Sequence, residues 1–146
     1  CIRDRFMIVT IASDHGGYKT KEAISEWLLE QGHNVRDWGC DNEESCDYPD
    51  YAKGVCELVA DGGANFGILV CGTGIGMSMT ANRNPKIRAG LCKDTHTAML
   101  TRQHNNANVL CLGARVTDPA WIINIVDTFI ATEFEGGRHQ KRIEKL

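Results

Sequence analysis

One segment constrains this chain more than any other. Phe66-Gly-Ile-Leu-Val-Cys71 carries no charge and no polar alternation, and it runs directly into Gly72-Thr-Gly-Ile-Gly76. A half-buried strand would alternate, and a surface helix would show a 3.6-residue period. This run does neither. It suits a parallel strand buried on both faces, and such a strand needs helices above and below it.

The rest of the chain meets that demand. Met7-Ile-Val-Thr-Ile-Ala12, Val35–Trp38, Ile87–Cys92 and Val109–Leu112 read as further strands. Helical stripes fall between them. Ile24, Trp27 and Leu28 lie at helical spacing within Lys19–Gln31, and Gly32 is placed to cap that helix. Ala52, Val55, Cys56 and Val59 form a second stripe after a polar stretch, residues 41–50, that Pro49 ends. Met77–Ala81, Thr95–Arg102 (capped by Asp94) and Pro119–Thr132 complete the helices, with a basic helical tail over Arg138–Leu146. Five strands separated by helices predict an α/β fold with a parallel sheet covered on both faces. Ligands of such sheets bind beyond the carboxyl ends of the strands. Asp14-His15, Cys71-Gly72 and Gly113 all follow strands at that edge.

Composition narrows the classes. With 146 residues the chain fits one domain, residues 1–146, read as beginning with a short extension over 1–6. The formal charge of −3 gives no basic surplus for nucleic acid, so no nucleic-acid partner is expected. No apolar run reaches a membrane span, and no signal peptide is read at the start, so a cytoplasmic protein without a membrane partner is expected. The cysteines number seven, an odd count, at 1, 40, 46, 56, 71, 92 and 111. None stands in C-x-x-C spacing, so they read as free thiols rather than a zinc site or a disulfide framework.

Cys71 is the thiol with a chemical context. A glycine-rich turn from a buried strand into a helix presents backbone N–H groups to a negative charge. Gly72, Gly74 and Gly76 bring those donors near the sulfur. A thiolate would be stabilised there, and the same donors would hold a developing oxyanion. By residue type alone, Cys71 reads equally as a buried thiol in a tight turn. Three sharper motifs fail on single residues. The third glycine comes one place early for a dinucleotide fingerprint, Gly76 is not followed by Lys, and Met77 stands where a phosphatase-type loop needs Arg.

Other polar residues have two readings. His104, in Arg102-Gln-His-Asn105, is either a proton carrier near pH 7 or a helix C-terminal partner of the dipole. Arg138 and Arg142 share one helical face and suit a phosphate, or form a solvated tail. His15 and Arg115 sit on the rim loops, where an anion would be held.

Taken together, these pieces resemble the ribose-5-phosphate isomerase B and galactose-6-phosphate isomerase family. The matching segments are Ser13-Asp-His-Gly-Gly17, Asp47-Tyr-Pro49, Cys71-Gly-Thr-Gly-Ile-Gly76, Arg102-Gln-His-Asn105, Asn108-Val-Leu110, Gly113-Ala-Arg115 and Glu135-Gly-Gly-Arg-His-Gln140. They run in family order from Met7 to Arg142. The resemblance implies a Rossmann-like three-layer α/β/α sandwich with a five-stranded parallel sheet. It implies aldose–ketose isomerisation of a sugar phosphate through an enediolate, with neither metal nor organic cofactor. Cys71 would be the base, Thr73 and the glycine loop would hold the enediolate, and His104 would help open the sugar ring. Asp14, Tyr48 and Asn105 match sugar contacts. His15, Arg115, Arg138 and Arg142 match phosphate ligands, with the tail from residue 133 onward completing that site. Some members carry a catalytic Glu later in the loop, where this chain has Met77. The family is dimeric, so the resemblance implies a homodimer with sites shared between subunits, a tetramer being the alternative. Ribose 5-phosphate is the expected substrate; galactose 6-phosphate, allose 6-phosphate and a tetrose phosphate are the alternatives, as is a non-catalytic sugar-phosphate-binding module.

Overall fold

The computed structural model describes residues 6–146, so most of the extension read over residues 1–6, with Cys1, lies outside the described residues. Five strands are found: β1 (Ile8–Ser13), β2 (Asn34–Asp37), β3 (Phe66–Cys71), β4 (Ala89–Leu91) and β5 (Val109–Gly113). They pair in the order β2-β1-β3-β5-β4, every pair parallel. Among the described residues, six α-helices connect and follow them: α1 (Tyr18–Glu30), α2 (Tyr48–Ala60), α3 (Ile75–Ala81), α4 (Thr95–Asn105), α5 (Pro119–Ala131) and α6 (Arg138–Ile143).

The central strand behaves as its sequence demands: all of β3 is buried. Its side chains alternate between two cores. Ile68 and Val70 face α1, α4 and α5 through Ile24, Leu28, Ala98 and Ile125. Leu69 and Cys71 face α2 and α3 through Val55, Cys56, Met77 and Ala81. The two cores make the three-layer α/β/α sandwich. Among the described residues, no helix is long and apolar enough to cross a membrane.

Several boundaries differ from the sequence expectation. Pro49 opens α2 instead of ending a loop, because a proline in the first turn gives up an N–H that has no intrahelical partner. Asp94 does cap α4, accepting from Thr97 N–H at 2.7 Å, but the helix continues past Arg102 to Asn105. It closes at Asn106, in the left-handed region with φ 47°. Gly32, φ 88°, follows α1 as expected of a cap.

Lys21 joins the first helix to the edge strand. Its side chain is only 1% exposed, and Nζ donates to Asp37 at 2.7 Å and to Glu22 at 3.0 Å. Burial pulls the ammonium down, but the carboxylates of Asp37 and Glu22 outweigh it, so the Lys21 pKa lies above its ordinary value. A group raised on folding stabilises fully below its unfolded value, about pH 10.4, and the contribution fades as pH climbs through the folded value. Chemical denaturation from pH 7 to 11 should therefore show an alkaline loss of stability in the native chain. The gap to Lys21→Met should shrink over that range.

Candidate active site

The chain leaves β1 toward one side of the sheet and returns through β3 to the other. The ends of these two adjacent strands therefore flank a topological switch point, where open α/β sheets form their clefts. Asp14 continues β1 and donates its N–H to the Val70 carbonyl at 3.1 Å. It is buried, and its carboxylate caps the following turn, accepting from Gly17 N–H at 3.2 Å. Cys71 ends β3, and its carbonyl accepts from Ala114 N–H at 2.8 Å, just after β5. The three strand ends are thus bonded into one rim.

Within that rim the Cys71 sulfur receives the Gly74 N–H at 3.0 Å. Gly74 reaches it from the left-handed region, φ 80°, and a Cβ there would come within 2.9 Å of the Leu112 carbonyl carbon. Only glycine meets both conditions without strain. An amide aimed at sulfur is a donor for which a thiolate is the better acceptor. Thr73 Oγ1 accepts from Ile75 N–H at 3.3 Å, tightening the entry to α3.

A cleft of about 460 Å³ opens over this loop, and Asp14, Tyr48, Cys71, Gly72, Thr73 and Arg115 are among its walls. Arg115 donates its backbone N–H to the Gly72 carbonyl at 2.9 Å. Its guanidinium lies against Gly16 and Gly72, where a Cβ would meet it at 3.3 and 3.2 Å. The Tyr48 ring lies over Gly76 more closely still, where a Cβ would meet it at 2.5 Å. His15 Nδ1 accepts from Cys46 N–H at 3.2 Å, tying the polar loop before α2 to the rim. Asp14, His15, Tyr48, Cys71, Thr73 and Arg115 are therefore assembled in one chain, with the Arg115 guanidinium against the glycine that follows Cys71.

His104, Asn105, Arg138 and Arg142 are not part of that assembly. Helix α4 runs antiparallel to the strands, so His104 and Asn105, at its end, lie at the amino edge of the sheet. The Arg88 side chain, just before β4, donates to the carbonyls of Asn105 and Asn106 at 3.1 and 3.0 Å. The Arg102 guanidinium lies 4.9 Å from the ring of Phe66, the first residue of β3, whereas Cys71 is the last. The length of that strand, roughly 16 Å, separates the two groups within a chain.

The second group has its own order. Buried Arg102 donates to the carbonyls of Thr132 (3.1 Å) and Ala107 (2.7 Å) and to Asn106 Oδ1 (2.9 Å). It pins the chain leaving α5 to the end of α4. Glu135 then faces two histidines: its Oε1 lies 3.6 Å from His104 Nε2 and 3.5 Å from His139 Nε2. The two rings stack at 4.3 Å, 14° from parallel. Burial pushes His139 below its ordinary pKa, and His104, Arg138 and Arg142 add to that against the pull of Glu135. Arg138 and Arg142 stand exposed along α6, four residues apart. Glu135 and His139 were not singled out from sequence as site residues. Their signal was the four-residue spacing across Gly136-Gly137.

Among the described residues, His104, Glu135 and His139 are the one trio of potential metal-ligating side chains in mutual reach, their donor atoms all within 4.8 Å. The remaining described cysteines are all free thiols. Burial pushes Cys56 and Cys92 up to about 11, and Cys111 well above the usual thiol range. These three stay protonated at neutral pH and serve as core residues.

Comparison with known proteins follows the same lines. The profile of a family described as ribose/galactose isomerase matches residues 9–146. The ribose-5-phosphate isomerase B of Escherichia coli is 43% identical over 138 residues, covering 94% of this chain and 93% of its own. A ribose 5-phosphate isomerase structure from Thermotoga maritima superposes with TM-score 0.95 at 49% identity, covering 97% of both chains. The Mycoplasma genitalium ribose-5-phosphate isomerase B, solved with bound ribulose 5-phosphate, gives TM-score 0.91 at 46% identity over 94% of this chain and 92% of its own.

The Gly74 turn can be tested without any assay of chemistry. Gly74→Ala should lower stability by about 1–3 kcal/mol, through strain at positive φ and the clash with Leu112. Thermal and urea unfolding would check it, and an unchanged midpoint would contradict the close approach described.

Proposed function

Because this chain belongs to the ribose/galactose isomerase family, and is therefore a sugar-phosphate isomerase, we propose that it interconverts ribose 5-phosphate and ribulose 5-phosphate with Cys71 as the base. The observation that carries this reading is the Gly74 N–H set on the Cys71 sulfur at the floor of the switch-point cleft. Isomerisation moves one proton between C2 and C1, so the floor needs a base and donors for the enediolate oxygens. The Cys71 thiolate removes the C2 proton, and the Thr73 hydroxyl with the Gly72–Gly76 amides holds the oxygens as charge develops. The proton returns at C1, and the O2 hydroxyl proton passes to O1. Carbon C1 is reduced and C2 oxidised in the same molecule, so the electron balance calls for no redox cofactor. Met77 cannot substitute as base, because it is a thioether with no exposure to the cleft.

The sugar phosphate lies across the rim. Asp14 and Tyr48 contact its hydroxyls, and Arg115 with His15 faces the phosphate. Binding the remote phosphate supplies energy that positions C1 and C2 over the sulfur. The ring-opening His104, together with Asn105, Arg138 and Arg142, comes from a second copy of the chain. Two observations support this. The two groups are a strand's length apart in one chain, and exposed Ile75, Met79, Leu91 and Val116 are available at the sheet's carboxyl end for an isologous contact. Ribose 5-phosphate is favoured over galactose 6-phosphate because one sequence carries both the proton-transfer and the ring-opening residues. Enzymes for galactose 6-phosphate typically divide these between two different subunits.

Cys71→Ala should fold normally yet lose ribose 5-phosphate isomerisation by at least about a hundredfold, checked by ketose formation across five- and six-carbon aldose phosphates. Full activity in that variant would sink the mechanism. Shared sites are tested by complementation. Cys71→Ala and His104→Ala, each inactive alone, should recover up to about a quarter of native activity when unfolded and refolded together, because half the dimers are mixed and each has one intact site. Sites confined to one chain would recover nothing.

A further inference from the structure

The group at the end of α4 is more ordered than a ring-opening histidine alone requires. Glu135 is held by its backbone, its N–H donating to the Gln103 carbonyl at 3.1 Å, one residue before His104. Arg102 fixes the preceding turn through Thr132. Gly136 and Gly137, with φ of 71° and 60°, then reverse the chain so that His139 returns beneath the same carboxylate. One oxygen of Glu135 therefore faces the Nε2 atoms of both rings. His139, its side chain 8% exposed, is the buried wall on which His104, 39% exposed, is stacked.

A neutral imidazole carries one N–H, and a carboxylate beside one ring nitrogen keeps the proton there. We propose that Glu135 is the positioning residue of ring opening: it holds the His104 proton on Nε2, so that Nδ1 is the nitrogen presented to a furanose phosphate in the shared site. This rests on the assignment of His104 to ring opening. In that step, Nδ1 takes the proton from the anomeric O1–H. The C1–O1 double bond forms as the C1–O4 bond breaks with its electron pair passing to O4, and the proton on Nδ1 is then delivered to O4. The stacked His139 keeps the His104 ring from turning over, which would exchange the two nitrogens.

Ribulose 5-phosphate provides the separating test. Its C5 oxygen is esterified, so it cannot close a furanose on C2 and enters the enediolate step without ring opening. Deuterium exchange at C1 of ribulose 5-phosphate in D2O therefore reads enolisation alone, whereas conversion of ribose 5-phosphate reads both steps. Glu135→Ala should slow ribose 5-phosphate conversion by roughly tenfold or more while leaving C1 exchange within about threefold. Glu135→Gln, whose amide oxygen still accepts from Nε2–H, should recover most of that loss. Nitrogen-15 spectra should place the His104 proton on Nε2 in the native chain and distribute it over both nitrogens in Glu135→Ala.

Equal losses of conversion and exchange in Glu135→Ala would reduce Glu135 to a structural role and overturn the proposal. So would native conversion in Glu135→Ala while His104→Ala is slow. Native conversion in His104→Ala itself would overturn the ring-opening assignment and the proposal with it.

Discussion

A central parallel strand has neither a free edge nor a solvent face. Its amides and carbonyls must be spent on its neighbours, and its side chains must suit two cores at once. β3 obeys both conditions, bonded to β1 on one side and β5 on the other. Its immovability makes the site possible. The Cys71 sulfur is delivered to the rim by a segment that cannot shift without breaking two ladders. Gly74 then turns its N–H back onto that fixed atom. A group on a loose loop would have to be ordered each time it acted; here the order is supplied by the core.

The same architecture separates the candidate residues within one chain. Helices that return across a parallel sheet run against its strands, so each helix carries its last residues to the amino edge. α4 therefore carries His104 and Asn105 away from the rim to which Cys71 belongs. Arg102 then fixes the chain leaving α5 to that distant edge through Thr132, while it holds the end of α4 through Asn106 and Ala107 and lies against Phe66. Partition of the candidate residues is a consequence of helix direction. For the shared site proposed above, symmetric pairing of two chains would bring the two groups together.

Much of this was legible in the residues. The alternation of strands and helices, the burial of Phe66–Cys71 and the gathering of Asp14, Cys71 and Arg115 on one rim follow from periodicity and from the connection rules of parallel sheets. The thiols that burial keeps protonated, Cys56, Cys92 and Cys111, were already readable as core residues. The start of α2 was misjudged because proline is compatible with both a loop and a helical first turn. The end of α4 was placed three residues early. What carries the helix on is the hydrogen bonding of Arg102 to a segment thirty residues away.

By itself, the sequence determined the fold class and the family, and it singled out Cys71 as the candidate base. Those properties depend on local periodicity, on contiguous motifs and on residue type. The tertiary structure decided which residues meet. It set Glu135 between two histidines and aimed one glycine amide at the sulfur. It also left Cys71 and His104 at opposite ends of a strand. Such relations arise from the packing direction of whole elements and from long-range hydrogen bonds, and neither is written in the spacing of neighbouring residues.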